Sequence, residues 1–309
     1  MSEKFPVNWS KGLKSRILVD EDASKHTTFG IGGQVPLWIE LFDLEEAVRV
    51  IKKLKQERSE FFVIGRGSNL LLSDEKIDKV FLSPQSDYFK EAAVEGDELR
   101  ARAGITLDTL INKVCKHSLG GLEFLAGIPG SLGGALYMNA GVKDKCIGDL
   151  VKEVKVVTCQ GAVKVLRQDE LSFSYRDGGL KECVIVEAVL RLNKTKKEDI
   201  LAARRRFLED RKKRQPLDCA GAGCIFKNPP GEGNESGRLI EKAGLKGFGI
   251  GNARISSKHA NFIVNRGRAT FNDVCRIISY VQDKINGLYG VKLETEIEIV
   301  WADEGKEKF

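Results

Sequence analysis

Apolar residues in the first part of the chain recur with the period of a helix and then with that of a strand. The spacing predicts an amphipathic helix over 44–57 and a strand over 60–64. A second helix is predicted over 106–119, with Gly120-Gly121 as its stop signal. The apolar stripe of the first helix consists of Leu44, Ala47, Val48, Ile51 and Leu54.

The middle of the chain changes period. Short alternating runs between 151 and 192 are typical of antiparallel strands. A long charged helix is predicted over 197–214, and Pro216 ends it. The change of composition there indicates a domain boundary.

The last part of the chain has a pattern of its own. A short helix is predicted over 236–243, and the alternation over 291–301 predicts a strand. Thr270 and Asp273 can cap a further helix. Its predicted apolar stripe consists of Val274, Ile277, Ile278, Val281, Ile285 and Leu288. The chain as a whole is predicted to be α+β, in three modest units.

Composition excludes several classes of protein. The chain has 309 residues, and its longest apolar runs have only the length of strands, so no membrane span is expected. The first residues lack the apolar region of a secretory signal, so none is expected. Seven cysteines without a CxxC pair, and only three histidines, argue against a zinc or iron–sulfur site. Reduced thiols in a cytoplasmic protein fit this composition best, and no metal is expected.

The net charge of +6 is concentrated partly at 204–206 and 211–214. Two interpretations stay open for these basic clusters. They form a solvated helix face, or they attract an anionic ligand, which would be a nucleotide or a nucleic acid. Aromatic residues are not interleaved with the basic run, which disfavours nucleic acid.

Two glycine-rich segments, 65–69 (GRGSN) and 127–134 (GIPGSLGG), carry the main chemical signal. In each, missing Cβ atoms allow backbone N–H groups to approach an anion closely. Leu70 stands where a dinucleotide-binding turn needs its third glycine, and an apolar run follows instead of a helix. The two segments together suit a cofactor with a pyrophosphate. The candidate cofactor-binding residues are Gly65, Arg66, Gly67, Ser68, Asn69, Leu70, Gly127, Ile128, Pro129, Gly130, Ser131, Gly133, Gly134, Asn139, Ala140 and Gly141.

Ordered motifs along nearly the whole chain resemble those of the UDP-N-acetylenolpyruvoylglucosamine reductase family. The motifs are 27–33 (TTFGIGG), 65–74 (GRGSNLLLSD), 123–141 (EFLAGIPGSLGGALYMNAG), 174–177 (SYRD), 215–216 (QP), 222–229 (AGCIFKNP), 245–247 (LKG), 258–265 (KHANFIVN) and 293–297 (LETEI). The chain is similar in length to the shorter class of the family.

The resemblance implies a flavoenzyme with a fold of the vanillyl-alcohol-oxidase type. The expected domains are an FAD-binding subdomain at 1–90, a second at 91–197 and a substrate-binding domain at 198–309. The implied reaction is the NADPH-dependent reduction of an enolpyruvyl UDP-sugar in peptidoglycan precursor synthesis, with non-covalent FAD. A monomer that binds neither membrane nor nucleic acid is expected. An FAD oxidase of the same fold is the alternative, although the glycine-rich segments lack the histidine or cysteine that covalent flavin attachment usually needs.

The resemblance also implies roles for three residues. Arg176 matches the arginine that holds the substrate's carboxylate as charge develops on it. Glu296 matches the catalytic carboxyl group, although alternation alone prefers none of the glutamates near it. Cys224 stands where the family usually has the proton-donating serine, and a thiol with the reference pKa of about 8.5 is also mostly protonated at pH 7. The alternative for Cys224 is a small buried hydrophobic residue.

Substrate contacts are expected from the same motifs. Lys227 and Asn228 resemble residues that meet the nucleotide diphosphate. Arg211 and Arg214 are candidates for the same anion, and Lys246, His259 and Asn261 are weaker candidates. The expected substrate-binding residues are Tyr175, Arg211, Arg214, Lys227, Asn228 and Lys246.

Overall fold

The computed structural model describes residues 10–142 and 144–302, and the chain divides into two compact units. Unit 1 consists of the chain up to Asp20 together with Pro36–Arg66 and Lys79–Asp210. Unit 2 consists of Glu21–Val35, Gly67–Asp78 and the chain from Arg211 onward. The three domains expected from the sequence stay a prediction.

Helices and strands are mixed along the chain. The helices are α1 (Leu44–Gln56), α2 (Leu107–Lys116), α3 (Leu132–Tyr137), α4 (Lys197–Arg214), α5 (Ser236–Lys242) and α6 (Phe271–Tyr289). The strands are β1 (Arg16–Asp22), β2 (Gln34–Glu40), β3 (Phe61–Val63), β4 (Leu70–Leu72), β5 (Val80–Ser83), β6 (Ala92–Glu95), β7 (Glu98–Arg102), β8 (Leu119–Gly120), β9 (Gly141–Val142), β10 (Lys145–Cys146), β11 (Val151–Thr158), β12 (Val163–Arg167), β13 (Cys183–Arg191), β14 (Asn193–Lys194), β15 (Gly249–Ile250), β16 (Ala253–Ile255), β17 (Ile263–Asn265) and β18 (Glu298–Val300).

Unit 1 is built on two sheets. The first has the order β1-β2-β5-β3, and β5 is parallel to both β2 and β3. Helix α1 packs its apolar side into the core beside this sheet. The second sheet is antiparallel with the order β12-β11-β13-β7-β6, as the alternation over 151–192 predicts. Helices α2 and α3 share a core with it.

Unit 2 has a smaller core of its own. Strands β15, β16 and β17 form an antiparallel sheet, and β4 pairs in parallel with β18. The long helix α6 and the short helix α5 contribute apolar residues to this core. None of the helices in the described part of the chain combines the length and the apolar character needed to cross a bilayer.

Local capping explains where the predicted helices begin. The carboxylate of Asp43 accepts a hydrogen bond from Glu46 N and starts α1. Thr106 starts α2 in the same way. Thr270 and Asp273 form the predicted capping box of α6, which ends at Gly290 with a φ of 68°.

Two details of the predicted helices are wrong. Helix α2 ends at Lys116, with His117 as its C-cap and Ser118 at a φ of 54°, and does not reach the glycines after it, because Gly120 belongs to β8. Leu288 is 51% exposed, because it lies in the last turn of α6, beyond the part that the core covers.

The strand predicted over 291–301 is confirmed only at its end, in β18. Earlier in this segment, Thr295 forms an isolated bridge with Phe226, and Glu296 N donates to Ile225 O at 2.7 Å. The segment therefore pairs with Ile225 and Phe226 as far as Glu296, and with β4 from Glu298 onward. This change of partner interrupts the regular ladder.

Candidate active site

The first glycine-rich segment leads from β3 into β4 and not into a helix. In unit 1, a Cβ on Gly65 would lie 2.6 Å from Ser131 Oγ, so the two glycine-rich segments touch at this point. In unit 2, Gly67 has a φ of 61°, and a Cβ there would overlap the carbonyl oxygen of His26. Gly67 requires glycine, because backbone atoms lie too close for any side chain, whereas a side chain at Gly65 would have to displace Ser131 Oγ.

Asn69 connects the first glycine-rich segment to the predicted catalytic carboxyl group. Its Nδ2 donates to Glu296 O at 3.1 Å, and its own carbonyl oxygen accepts from Glu298 N at 3.0 Å. The backbone of Glu296 is therefore held directly by a residue of this segment.

The second glycine-rich segment is packed against the backbone of unit 1. Ser131 caps α3, Leu132 N donates to Ile105 O at 2.9 Å, and Gly133 N donates to Ala103 O at 2.8 Å. These two amides are thus used within the protein. Gly134 N donates to Ser131 Oγ at a longer 3.4 Å, and Gly134 is exposed, so a Cβ there would meet only Ser131 Oγ, at 3.6 Å.

Arg176 lies in a two-residue turn of unit 1. Ser174 and Asp177 exchange backbone hydrogen bonds of 2.8 and 3.2 Å across Tyr175 and Arg176. Arg176 has a φ of 58°, and its Nη1 donates to Gly141 O at 3.2 Å. Its guanidinium carbon lies 5.2 Å from the ring centre of Tyr175, which is 53% exposed. A short turn anchored in this way presents a cation at a fixed place.

Cys224 and Glu296 are brought close together within unit 2. Cys224 is half-buried and forms an isolated antiparallel bridge with Phe262. The next residue, Ile225, accepts the backbone hydrogen bond from Glu296 N. Glu296 is half-buried, whereas Lys292 and Glu294 are exposed. Burial thus separates Glu296 from Lys292 and Glu294, but not from Glu298, which is also half-buried.

Asn261 is a structural residue of this site whose role the sequence did not reveal. It is 4% exposed, its Nδ2 donates to Phe226 O at 2.8 Å, and its Oδ1 accepts from Phe226 N at 2.9 Å. Its own carbonyl oxygen accepts from Ile225 N. The amide therefore replaces a neighbouring strand and fixes the segment that carries Cys224 and Lys227.

The predicted diphosphate-binding residues lie in unit 2 with defined neighbours. Lys227 Nζ lies 3.4 Å from Glu294 Oε2, and Lys246 Nζ lies 2.6 Å from Glu241 Oε1. Asn228 Oδ1 accepts from Ser236 N at 3.1 Å, while Ser236 Oγ donates to Lys227 O. Arg211 Nη1 donates to Gln215 Oε1 at 3.3 Å, and Arg214 is exposed.

His259 reports the electrostatics of this region. Burial lowers the pKa of its imidazole, and the charges of Lys246 and Arg214 lower it further, against a smaller opposite effect of Glu241. The ring is therefore neutral at pH 7, and its Nδ1 accepts from Asn261 N at 3.2 Å. Two cations that act on one histidine indicate a positive potential, which favours an anionic ligand.

The residues present fit an FAD. Half-buried Gly65 and exposed Gly134 both lie against Ser131, so a pyrophosphate can approach the backbone here without meeting a bulky side chain. Within 10–142 and 144–302, no group of three or more histidine, cysteine, aspartate or glutamate side chains is placed to hold a metal ion.

Comparison with known proteins agrees with this geometry. A family model described as an FAD binding domain matches residues 38–167. A second one, described as the C-terminal domain of UDP-N-acetylenolpyruvoylglucosamine reductase, matches residues 215–300. With its mixed helices and strands, the chain is an FAD-binding oxidoreductase of the α+β class.

Relatives of similar length define the family. A UDP-N-acetylenolpyruvoylglucosamine reductase of Caldanaerobacter subterraneus is 39% identical over 93% of this chain and 94% of its own length. That of Thermotoga maritima is 41% identical over 91% of this chain and 98% of its own length. The crystal structure of the reductase from Thermus caldophilus superposes with a TM-score of 0.79, at 32% identity, over 93% of this chain and 99% of that one. The chain belongs to the UDP-N-acetylenolpyruvoylglucosamine reductase family.

Proposed function

We propose that this protein reduces UDP-N-acetylglucosamine enolpyruvate to UDP-N-acetylmuramate with NADPH, for peptidoglycan precursor synthesis. The observation that carries the proposal is the placement of Cys224 and Glu296 on hydrogen-bonded neighbouring segments, joined through Ile225. The family relationship of nearly the whole chain supports it. The oxidase alternative has no support in these comparisons.

The chemistry requires a cation, an acid and a flavin. When bound, FAD takes a hydride from NADPH and supplies it to the substrate. As the methylene carbon of the enolpyruvyl group takes up the hydride, electron density moves onto the adjacent carboxylate. Arg176 stabilises that charge through hydrogen bonds from its guanidinium group. Because the turn of Ser174–Asp177 fixes Arg176 before the reaction, little reorganisation is needed.

Cys224 completes the reaction by donating the proton of its thiol to the carbon that bears the ether oxygen, and the ether bond itself stays intact. The thiolate left behind then regains a proton from water. Glu296 lies beside this segment. Its carboxyl group, when protonated, donates a hydrogen bond to the enolate. Lys227, Asn228 and Lys246, with Arg211 and Arg214, hold the diphosphate, and Tyr175 covers the substrate beside Arg176. We further propose that the protein is a cytoplasmic monomer that binds no nucleic acid.

The proposal is tested by following the flavin absorbance in two half-reactions. The purified protein should be yellow, NADPH should bleach it, and the enolpyruvyl nucleotide should restore the colour. Cys224→Ala should leave bleaching intact and slow the recovery by about 10²–10⁴-fold, the usual contribution of a general acid. Cys224→Ser should keep substantial activity, because a hydroxyl can also donate.

Cys219→Ala is the matched control, since Cys219 is another half-buried cysteine of unit 2. It should behave as the unmodified protein does. Equal loss of both half-reactions in Cys224→Ala would rule out the proton-donor role. A colourless protein, or one whose colour the nucleotide does not restore, would contradict the proposed function itself.

A further inference from the structure

Asn139 is a buried residue whose side chain joins two loops of unit 1. It is 5% exposed and has a φ of 46°. Its Nδ2 donates to Ser174 O at 2.8 Å, and its Oδ1 accepts from Gly148 N at 3.0 Å. Asparagine tolerates a left-handed backbone better than most residues with a side chain. The position therefore combines this backbone conformation with an amide that bonds on both sides.

The partner of this amide is the first residue of the turn that carries Arg176. Ser174 and Asp177 are bonded to each other in both directions, so the turn is a small closed unit. A displacement of Ser174 therefore displaces Arg176 with it. The left-handed φ of Arg176 makes the direction of its side chain depend on this turn.

Two more hydrogen bonds fix the turn to the same short segment as Asn139. Gly178 N donates to Tyr137 O at 2.8 Å, and Arg176 Nη1 donates to Gly141 O at 3.2 Å. Residues 137, 139 and 141 thus hold the turn at three successive points. Of these three contacts, only that of Asn139 is made by a side chain of the supporting segment, so it can be removed by substitution.

We propose that Asn139 is a positioning residue for Arg176. Its amide holds Ser174 O and so sets the place at which the guanidinium meets the substrate's carboxylate. This inference rests on the proposed function, because it gives Asn139 a kinetic role only if Arg176 acts on the substrate. The sequence predicts that Asn139 contacts the cofactor. The inference adds a separate role in the second half-reaction, in which the enolpyruvyl nucleotide reoxidises the flavin.

The test removes the amide without straining the backbone. Asn139→Gly keeps the left-handed φ at no steric cost and deletes both hydrogen bonds. With both rates expressed per bound FAD, any change in bleaching by NADPH should be much smaller than the change in recovery. Recovery of colour with saturating enolpyruvyl nucleotide should slow by about 10- to 100-fold, since a misplacement of about 1 Å costs up to that much. Ser118→Gly, at another left-handed position of unit 1, is the matched control and should leave both rates unchanged.

A double-mutant cycle distinguishes positioning from a general structural effect. Arg176→Ala and the pair Asn139→Gly/Arg176→Ala should recover colour at nearly the same rate, because Asn139 acts through Arg176. The inference would be overturned if the recovery rate of the double variant fell by the product of the two single-variant losses, or if Asn139→Gly recovered at the parent rate. The proposed function would stand in either case. A parent protein that the nucleotide does not reoxidise would overturn both.

Asn139→Asp supplies a second readout that does not depend on the stability of the glycine variant. Its carboxylate can still accept from Gly148 N but places a negative oxygen against Ser174 O. Recovery should be slow at pH 8 and become faster as the pH falls and the introduced carboxyl is protonated, since the acid form can donate to Ser174 O. A recovery rate whose pH profile equals that of the parent protein would contradict the inference.

Discussion

Substitution of Asn261 by alanine should destabilise unit 2 by several kcal/mol. The amide satisfies both the N–H and the C=O of Phe226, at 2.9 and 2.8 Å, and Phe226 is 2% exposed. Asn261→Ala leaves these two groups buried without their partner. Since each unsatisfied buried group costs about 1–3 kcal/mol, the expected loss for the two groups is about 2–6 kcal/mol. Water that enters the space left by the amide would bring the loss toward the lower value.

The measurement is urea unfolding followed by circular dichroism and tryptophan fluorescence, with FAD in excess throughout. With a typical m-value of about 1–3 kcal/mol/M in urea, each kcal/mol lost should lower the urea midpoint by about 0.3–1 M. Asn252→Ala is the control, because Asn252 is exposed and its Nδ2 donates to Arg268 O at a long 3.4 Å. Asn252→Ala should change the free energy of unfolding by no more than about 0.5 kcal/mol.

A functional consequence accompanies the loss of stability. The segment released by Asn261→Ala carries Cys224, so recovery of the flavin colour should slow more than bleaching by NADPH does. If Asn261→Ala unfolds at the same urea concentration as Asn252→Ala, the reasoning from two unsatisfied backbone groups is wrong.

Three further predictions concern other parts of the molecule. Burial alone would raise the pKa of the Glu46 carboxyl, but hydrogen bonds from Ser15, Lys14 and Arg49 together lower it. Its stabilising effect is therefore present above the unfolded-state pKa of about 4.3 and is lost as the pH falls through the lower folded value. Glu46→Gln should reduce stability at pH 7 by about 1–3 kcal/mol and flatten its decline below pH 4, as acid titrations of unfolding would show. UDP bound near Lys246 and Arg214 should raise the pKa of His259, followed by NMR, whereas the imidazole resonances of exposed His117 at constant pH should not move; equal responses of both histidines would contradict the assigned site. Gly67→Ala should lower the free energy of unfolding by more than about 3 kcal/mol and weaken FAD retention, because its Cβ overlaps His26 O. Gly96→Ala, at a similar φ in open space, should lower it by about 1 kcal/mol. Similar losses for the two variants in calorimetry would refute the role of close packing.

The predicted helices are confirmed where period and capping agree. Helix α4 has the predicted bounds, α1 begins at the predicted residue, and α6 begins at the predicted cap. The strand predicted over 291–301 is wrong for most of its length, because alternation does not reveal that the pairing partner changes at Glu296. Local pattern reports burial on one face of an element, and it carries no information on which segment pairs with it.

The candidate site was accessible from the sequence only in part. Arg176, Cys224 and Glu296 were selected by resemblance, and the chemistry of their side chains alone would not have distinguished them from other charged or thiol groups. The roles of Asn139 and Asn261 could not be predicted, because each depends on a partner 35 residues away in the chain. Such contacts are set by tertiary structure, and no local spacing encodes them.

The pairing of β4 with β18 has a consequence for biosynthesis. Leu70 lies opposite Glu298, so this ladder joins segments that leave the ribosome more than two hundred residues apart. A nascent chain can complete most of unit 1 early, whereas the backbone groups of β4 gain this partner only when translation is nearly finished. Premature termination anywhere before Glu298 would leave that edge exposed, which makes the incomplete chain a substrate for chaperones and proteases.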